Sequence, residues 1–453
     1  MTPYAPVLLI VADDLSGAAD TAAAFAHRAG TAVLLDPGAR PAGATVVAVD
    51  TDSRYLPPGE AAARVTRALA GYGPGTRVYK KIDSTLRGAV GPEVRACLSA
   101  LRDRDGVRPL AVVAPAFPAT GRMVVGGRVL VDGVPLEDVR PGHVPLAEQL
   151  ASAGLAVESL GLDALRRGDG ARLLAEASRR ADAVVVDAVT DADLARVLPA
   201  TADLPVLLVG SGGLAHHLAL PEVAGPEPGP ETAGQDPTPG AVGHGPAPEV
   251  AGSAPDPETG TPPPASGPAG TGPPRTPPPL LICVGSRTAQ ARSQRRALID
   301  RLPAVAVTVG TGPGAPLAAG RALRAALLAG HHVVLSPDPR EEVRPARAGQ
   351  FAHALAEAAA GGLPLAGALI ATGGETARAV LRAAGAGSLA VQGEPAPGVV
   401  RMRTPGGLTV VTKAGAFGTE DTLLNAARAL LDRPCTAAEG TGPAAAGAGS
   451  VPS

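Results

Sequence analysis

Short apolar runs that alternate with helix-like segments constrain the fold of this chain more than any other feature of its sequence. Each run is rich in Val, Leu, Ile or Ala, and segments with helical periodicity lie between the runs. Strands that alternate with helices form βαβ units, whose strands are mainly parallel. The sequence therefore predicts an α/β protein with sheets flanked by helices. The predicted strands are residues 7–12, 45–49, 76–82, 110–114, 183–186, 206–209, 280–284, 305–309, 333–335, 369–371 and 408–412, and the predicted helices are residues 17–28, 59–69, 93–101, 171–180, 289–301, 377–383 and 420–431.

A change of composition divides the chain. Residues 221–279 are mostly Pro, Gly, Ala, Thr and Glu, with almost no Ile, Leu or Phe. Such a segment cannot bury enough apolar surface to order itself, so we predict a disordered linker there. A chain of 453 residues has room for two or three domains, each with its own core. The predicted organisation is an N-terminal domain of residues 1–220, the linker of residues 221–279, a C-terminal domain of residues 280–433 and a disordered tail of residues 434–453.

Charge, aromatic content and cysteine spacing narrow the function classes. The formal net charge is -2, aromatic residues make up 2% and Trp is missing, so nucleic acid is not an expected partner. No apolar run is long enough to span a bilayer, and the start lacks the cationic region of a signal peptide. The widely spaced Cys97, Cys283 and Cys435 cannot build a disulfide framework or a zinc site. We expect a cytoplasmic protein without a membrane partner, and a homo-oligomer remains open.

The densest polar cluster lies at the end of one predicted strand. Residues 80–88 read Lys-Lys-Ile-Asp-Ser-Thr-Leu-Arg-Gly. Cations this close together repel one another unless an anion, such as a phosphate or a carboxylate, neutralises them. Ligands of open α/β sheets bind beyond the carboxyl ends of the strands. The stretch therefore indicates an anion site, although a solvated charged loop has the same composition.

Two other strand ends carry polar residues. Asp13 and Asp14 follow the first predicted strand, and residues 50–54 read Asp-Thr-Asp-Ser-Arg after the second. Paired carboxylates can hold a metal or orient a hydroxyl group, but Asp is also an ordinary N-cap residue. We expect one of the first two carboxylates to cap the helix and the other to remain for chemistry. A further polar stretch, residues 115–122, ends at Arg122.

Glycine-rich turns follow three strands of the C-terminal part. Ser286 stands in a Gly-Ser turn before a helix, residues 373–376 read Gly-Gly-Glu-Thr, and residues 413–418 read Lys-Ala-Gly-Ala-Phe-Gly. Such turns present backbone N–H groups and a helix N-terminus to phosphate, so together they favour nucleotide binding. The Walker A spacing is absent from the chain. Residues 310–315 fit the dinucleotide pattern G-x-G-x-x-G/A, but Pro313 removes a backbone N–H, and we interpret the match as coincidence.

Taken together, these motifs resemble the four-carbon acid sugar kinase family, which includes D-threonate, D-erythronate and 3-oxo-tetronate kinases. The matching stretches are residues 12–18, 50–54, 80–88, 115–122, 373–377 and 413–418. The resemblance implies an N-terminal sugar-acid-binding domain and a C-terminal nucleotide-binding domain. It also implies ATP-dependent phosphorylation of the terminal hydroxyl of a short aldonic acid, with Mg²⁺ implied by the ATP chemistry.

The resemblance and the residue types together assign roles. Asp14 or Asp83 accepts or orients the hydroxyl proton, and the sequence does not choose between them, since Asp83 can simply pair with Arg87 and Asp13 can cap a helix. The expected substrate-binding residues are Asp13, Arg54, Lys80, Lys81, Ser84, Arg87 and Arg122. The expected ATP-binding residues are Ser286, Gly373, Gly374, Glu375, Thr376, Lys413, Gly415 and Gly418. Metal ligands are not predicted.

Two other functions stay open at this point. A degenerate kinase could sense sugar acids without phosphorylating them, although the retained Lys413, Asp83 and glycine turns argue against it. An NAD(P)-dependent oxidoreductase would use the dinucleotide-like residues 310–315.

Overall fold

A computed structural model gives the architecture of residues 6–39, 41, 43–220, 278–341, 348–415 and 417–432. The predicted linker and tail lie almost entirely outside these described residues. We call the described residues up to 220 the N-terminal half and those from 278 onward the C-terminal half. Among the described helices, none combines the length and the apolar character needed to cross a membrane.

The N-terminal half alternates strands with helices, as predicted. Its strands are β1 (Leu8–Ala12), β2 (Thr31–Leu34), β3 (Val46–Asp50), β4 (Arg77–Lys81), β5 (Leu110–Ala114), β6 (Arg122–Val125), β7 (Arg128–Val131), β8 (Val134–Pro135), β9 (Val157–Leu160), β10 (Ala183–Val186) and β11 (Val206–Gly210). Its helices are α1 (Leu15–Ala23), α2 (Pro58–Leu69), α3 (Val90–Asp105), α4 (Leu136–Val139), α5 (Leu146–Ser152), α6 (Leu162–Arg167), α7 (Gly170–Ala177), α8 (Asp191–Ala200) and α9 (Gly212–Ala215).

The C-terminal half repeats this alternation and adds an antiparallel hairpin. Its strands are β12 (Leu280–Val284), β13 (Ala304–Val309), β14 (His332–Pro337), β15 (Ala368–Thr372), β16 (Ser388–Ala396), β17 (Val399–Arg403) and β18 (Thr409–Lys413). Its helices are α10 (Ala289–Arg301), α11 (Ala315–Leu328), α12 (Ala348–Ala360), α13 (Gly374–Ala383) and α14 (Thr422–Leu431). The predicted α/β class with mainly parallel strands is confirmed.

Fifteen of the described strands, from both halves, pair in one sheet, in the order β13-β14-β12-β15-β18-β17-β16-β2-β3-β1-β4-β11-β5-β10-β9, and β6, β7 and β8 form a separate antiparallel sheet. The two halves join where β16 pairs antiparallel with β2, with Leu389 opposite Val33. Both of these side chains are fully buried in one apolar cluster that includes residues of both halves. This junction is not evident from the sequence, because no strand is predicted at the positions of β2, β16 or β17.

Register in the sheet aligns the polar strand ends. Ala12 of β1 lies opposite Asp50 of β3 and Lys81 of β4, so the loops that follow these strands begin side by side. In the C-terminal half, Thr372 of β15 lies opposite Val284 of β12 and Lys413 of β18. The carboxyl ends of parallel strands are where an open α/β sheet binds its ligands. The fold thus gathers each half's polar loops at an edge suited to a site.

Candidate active site

One cavity of about 310 Å³ is lined by loops of both halves. It lies beyond the ends of β1, β3 and β4 on one side and of β12, β15 and β18 on the other. Most of the sequence-predicted site residues line it. They are Asp13, Asp14, Arg54, Lys81, Asp83, Ser84 and Arg87 from the N-terminal half, and Ser286, Gly373, Gly374, Glu375, Thr376 and Gly415 from the C-terminal half.

Arg54 is the centre of the N-terminal side of this cavity. Its Nε and Nη2 donate to the two oxygens of Asp13 at 2.7 and 2.8 Å. Its Nη2 and Nη1 also contact the two oxygens of Asp14, at 2.8 and 2.7 Å. Burial alone would raise the pKa of Asp13, but the charge and hydrogen bonds of Arg54 lower it below its usual value. Arg54 therefore holds the carboxylates of Asp13 and Asp14 rather than presenting a free guanidinium.

Asp14 both caps α1 and faces the C-terminal half. Its Oδ1 accepts a hydrogen bond from the backbone N–H of Gly17 at 2.8 Å, which is an N-cap contact. The alternative that Asp13 caps the helix is therefore wrong. A Cβ at Gly374 would lie 2.7 Å from Oδ2 of Asp14, so only glycine allows α13 to approach this closely. Asp14 thus lies at the closest approach of the two polar edges.

Asp83 is held by its own loop. Its carboxylate accepts from Arg87 Nε and Nη2 at 2.8 and 2.7 Å and from the hydroxyl of Thr85 at 2.6 Å. Burial opposes ionisation, but the hydrogen bonds from Arg87 and the charge of Arg54 outweigh it and hold the pKa of Asp83 well below its usual range. The pairing with Arg87 that the sequence left open is present. A carboxylate this strongly stabilised is a weak proton acceptor.

The two adjacent lysines of β4 point to different surroundings. Successive side chains of a strand face opposite sides of the sheet. Lys80 is fully buried, and its Nζ contacts Glu93 of α3 at 2.7 Å. Lys81 lines the cavity, with its Nζ 2.9 Å from where a Cβ of Gly17 would lie. Of the two lysines expected to bind substrate, the structure brings only Lys81 to the cavity wall.

Arg122 also lies away from this cavity. Its Nη1 donates to the backbone carbonyl of Thr120 within the same turn. Phe117, from the same polar stretch, lines the cavity instead. The predicted stretch is therefore next to the site, but through a residue that the sequence analysis did not select.

The nucleotide-type turn after β15 opens α13 directly onto the cavity. Gly373 is the N-cap, with a φ of 91° in the left-handed region, and no side chain caps the helix. The first N–H groups of α13 therefore remain available to an anion, and the helix dipole favours one. Burial and the charge of Asp52 raise the pKa of Glu375, which stands in this first turn. Thr376 lines the same wall.

Ser286 and Gly415 bring the turns after β12 and β18 together. A Cβ on Gly415 would lie 2.4 Å from the hydroxyl oxygen of Ser286. Lys413 does not line the cavity, because its Nζ donates to the carbonyls of Gly415 and Phe417 at 3.3 and 2.6 Å. Burial lowers the pKa of this lysine to about 8. Gly418 lines a neighbouring cavity, and Ala416 is not among the described residues.

That neighbouring cavity has a volume of about 1150 Å³ and shares Asp20, Phe117, Gly398 and Phe417 with the first. Its walls are largely apolar. They include Val399, Val411, Ala426, Ala429 and Leu430 from the C-terminal half, together with polar groups such as Asn425 and Thr422. It offers an apolar space beside the polar one.

The dinucleotide-like turn has a different environment. It follows β13, which is the edge strand of the sheet. Both oxygens of Glu341 approach the N–H of Thr311, at 3.1 and 3.3 Å, and Oε2 accepts from its hydroxyl at 2.8 Å. A carboxylate therefore occupies the place where a pyrophosphate would be needed. The interpretation of this motif as coincidence agrees with the geometry.

Arg378 is the site residue that sequence reasoning missed most clearly. It extends from α13 of the C-terminal half to the carboxylate of Asp50 at the end of β3, and its Nε lies 3.2 Å from Asp52. Asp50 is fully buried, and this burial raises its pKa to about 7 despite the opposing charge of Arg378. The partners are far apart in sequence. The only sequence signal for this pair was the presence of charged residues at a strand end and on a helix.

No group of three or more His, Cys, Asp or Glu side chains with the arrangement of a metal site occurs in the described part of the chain. Asp14 and Glu375 nevertheless line one cavity from opposite halves. Mg²⁺ usually takes only one or two protein carboxylates and completes its shell with water and substrate phosphates. Two carboxylates facing one cavity are therefore compatible with Mg²⁺ coordination of this kind.

Comparisons with known proteins agree with the division into halves. A family model described as a sugar-binding N-terminal domain matches residues 8–218, and one described as a nucleotide-binding C-terminal domain matches residues 281–423. The D-threonate kinase of Cupriavidus necator is 38% identical, over 94% of this chain and 98% of its own. The D-erythronate kinase of Heliobacterium modesticaldum is also 38% identical, but over 41% of this chain and 46% of its own.

A crystal structure supports the fold. The Haemophilus influenzae protein HI1011 superimposes with a TM-score of 0.63 and 19% identity, covering 93% of this chain and all of its own. The near-full-length D-threonate kinase match and the two domain models are sufficient to assign the family. The chain belongs to the four-carbon acid sugar kinase family.

Proposed function

We propose that this protein transfers the terminal phosphoryl group of ATP to the terminal hydroxyl of a four-carbon sugar acid, and that D-threonate is the first substrate to test. The observation that carries the proposal is the single cavity in which Asp14 and Arg54 face the turn of Gly374 and Glu375. Phosphoryl transfer depends mainly on positioning and charge neutralisation. The D-threonate kinase relative matches almost from end to end, which favours threonate among the family's substrates.

Lys81 and Arg87 are proposed to bind the carboxylate of the acid. Both line the cavity, and the side chain of Arg87 is 44% exposed although it pairs with Asp83. A guanidinium group that pairs with one carboxylate and still has exposed N–H groups can bind a second anion through them. Arg54 is assigned a different role from the expected one: it orients Asp13 and Asp14. Ser84 lines the same wall and is proposed to donate to a substrate oxygen.

Asp14 is proposed to accept or orient the proton of the reacting hydroxyl. It lies between the sugar-acid loops and the N-terminus of α13, where the transferred group has to pass. Arg54 contacts Asp14 at 2.7 Å and Asp83 at 3.8 Å. Asp83 is also held by Arg87 and Thr85, whereas Asp14 faces Gly374 of α13. We therefore favour Asp14 over Asp83 as the catalytic residue, and assign Asp83 to the support of Arg87.

The phosphates of ATP are proposed to lie at the N-terminus of α13 and against the Gly415 turn. Ser286, Gly373, Gly374 and Thr376 line this part of the cavity. The adjoining apolar cavity, bounded by Gly418 and α14, has room for the nucleoside. Aromatic bases bind well in mostly apolar clefts with a few polar groups.

Lys80 and Lys413 are proposed to support the residues of the cavity wall without contacting the substrates themselves. Lys80 is the buried counter-ion of Glu93 and also donates to the carbonyl of Lys81 at 3.1 Å. Lys413 holds the carbonyls of the turn that contains Gly415. Both are therefore positioning residues, and Arg122 has no proposed contact with substrate.

Mg²⁺ is proposed to accompany ATP, with Glu375 as the protein group able to hold it, since Asp14 is assigned to the reacting hydroxyl. The ion would neutralise part of the phosphate charge when bound. The domain boundaries are proposed at residues 1–220 and 280–433. We also propose a cytoplasmic location, where ATP is available and where buried Cys97 and Cys283, both free thiols, would stay reduced.

A substrate panel tests the proposed function. ADP release would be measured with ATP and D-threonate, D-erythronate or their 3-oxo forms, and we expect at least one acid to stimulate it strongly. If no acid raises ADP release while acids still increase the melting temperature, the sensor function replaces this one. Thermal stabilisation by NAD(H) but not by ATP would instead favour an oxidoreductase.

A further inference from the structure

A cavity of about 630 Å³ shares Arg378 as a wall with the candidate active site. Arg64 and Arg67 of α2 line it from the N-terminal half, and Arg378 and Arg382 of α13 line it from the C-terminal half. Its volume is within the range of small-molecule sites, roughly 300–1,000 Å³. None of these arginines except Arg378 lines the cavity where the reaction is proposed.

The carboxylates nearby do not neutralise all four arginines. Two carboxylates line the cavity: Asp36, which accepts from the backbone N–H of Gly38 at 2.9 Å, and Asp50, which pairs with Arg378. Asp52 is shared by Arg378 and Arg64 at 3.2 and 3.5 Å. Arg382 donates to the carbonyl of Leu35 at 2.9 Å. Within the described part of the chain, no carboxylate lies within ion-pair distance of Arg67 or Arg382.

The helical spacing increases the positive potential of this cavity. Arg64 and Arg67 are three residues apart on α2, and Arg378 and Arg382 are four residues apart on α13. Residues at these spacings lie on one face of a helix, where like charges repel each other. A polyanion between the two helices would relieve both repulsions and connect the two halves.

We propose that this cavity binds a small phosphorylated organic acid, at a site distinct from the one where phosphoryl transfer takes place. Guanidinium groups match both phosphate and carboxylate geometry, and four of them from two directions suit a ligand that carries both groups. The site is coupled to the reaction, because Arg378 forms a wall of both cavities and also holds Asp50 and Asp52. The inference stands on these contacts and does not depend on the proposed substrate.

Isothermal titration of the full chain with 3-phosphoglycerate, and separately with inorganic phosphate, tests the site. The test variant is Arg67→Gln/Arg382→Gln. The control is Arg321→Gln/Arg324→Gln on α11, which removes the same number of positive charges. It is matched in its contacts too, because Arg324 donates to the carbonyl of Gly361 at 3.0 Å and Arg382 donates to the carbonyl of Leu35 at 2.9 Å. Wild type and control should bind 3-phosphoglycerate alike, and more tightly than phosphate.

The test variant should bind at least about tenfold more weakly, because it loses two charge-assisted contacts. Equal binding by all three proteins, no binding by wild type, or equal affinity for phosphate alone would overturn the proposal. The single variant Arg67→Gln covers the case in which the double variant does not fold. Arg67 is exposed, so its replacement leaves the fold intact and should still weaken binding.

Discussion

At the scale of single residues, Asp14 and Asp83 show how two carboxylates of one cavity differ. Asp14 accepts from Arg54 and from the backbone N–H of Gly17 and faces Gly374 across the cavity. Asp83 lies 3.8 Å from Arg54 and accepts from Thr85 and Arg87 within its own loop. Hydrogen bonds to the charged form stabilise it and remove basicity. The two residues should therefore respond differently to the same amide substitution.

Asp14→Asn should lower turnover by about 10²–10⁴-fold, the usual contribution of a positioned proton acceptor. The melting temperature should fall modestly, because Asn caps helices about as well as Asp but gives up one of the close ion pairs of Arg54. Steady-state kinetics and thermal unfolding measure both effects. The companion variant Asp83→Asn should lose more stability, since it leaves Arg87 without its partner. Wild-type turnover in Asp14→Asn would rule out its catalytic role.

Lys413 gives the proposed enzyme a pH dependence. Its pKa is about 8 in the folded protein against a usual value of 10.5, so the folded chain releases this proton first. Between these values the unfolded chain binds more protons, and stability therefore rises with pH across that window. Turnover should fall over the same range as the cation behind the Gly415 turn is lost.

Lys413→Met isolates this contribution. Denaturant titrations from neutral pH to pH 10.5 should show the stability of wild type rising relative to the variant above about pH 8. The variant should turn over slowly at every pH and lack the alkaline decline. A wild-type profile that stays flat above this pKa would contradict the role given to Lys413.

Residue roles were only partly predictable from the sequence. Alternation along β4 implies that Lys80 and Lys81 face opposite sides, but not which side holds the ligand. Glu93, the partner of Lys80, is far enough along the chain that only the packing of α3 against the sheet brings it close. Similarly, the Arg54 contacts with Asp13 and Asp14 depend on β1 and β3 being neighbours in register.

At the scale of elements, the turn between β15 and α13 brings the two polar edges together. Gly374→Ala places a methyl group 2.7 Å from Oδ2 of Asp14, so α13 or Asp14 has to move. A displacement of this size at a reacting centre can cost about a hundredfold in rate. We expect turnover, measured by steady-state kinetics, to fall by that order. The fold of the variant, measured by circular dichroism, should remain that of wild type.

Gly349→Ala is the matched control, because it lies in the first turn of α12 with no atom within 4 Å of the new Cβ. It should keep wild-type turnover and gain up to about 1 kcal/mol of stability, as Ala is the better helix former. If Gly374→Ala and Gly349→Ala have the same turnover, the close approach of Gly374 to Asp14 is not needed for activity.

Most elements followed from apolar periodicity, whereas β16 and β17 did not. The segment Ser388–Ala396 contains Gly393 and Pro395, which count against a strand, and its pairing with β17 has register shifts there. Its apolar positions become informative only once β2 lies beside it. Local patterns thus predicted most of the buried parallel strands but missed the short buried strand β2 and the irregular hairpin.

At the scale of the whole molecule, the halves are joined by the β2–β16 pairing and by the buried pair of Arg378 and Asp50. Arg378→Met removes the partner of the buried Asp50, which typically costs about 3–5 kcal/mol where that carboxylate is ionised, that is above its pKa of about 7. Chemical denaturation should show this loss. Adding Asp50→Asn should recover part of it, and strictly additive effects would argue against the pair.

The two folded parts and their order were predictable at this scale, but their joint sheet was not. Residues 32–34 and 388–390 pair although most of the chain separates them. A pairing so distant depends on which edge strands remain after each half has folded. The cavity between the halves also depends on this long-range pairing, because it forms only where the polar edges of the two halves meet.

Phosphorus NMR of a reaction containing the protein, ATP, Mg²⁺ and D-threonate is the most direct test that the terminal hydroxyl is phosphorylated. We expect one new phosphate monoester signal, coupled to the protons of the terminal carbon and growing as ADP forms, and its loss with Asp14→Asn. Hydrolysis of ATP to inorganic phosphate without such an ester, or an ester on another carbon, would contradict this expectation.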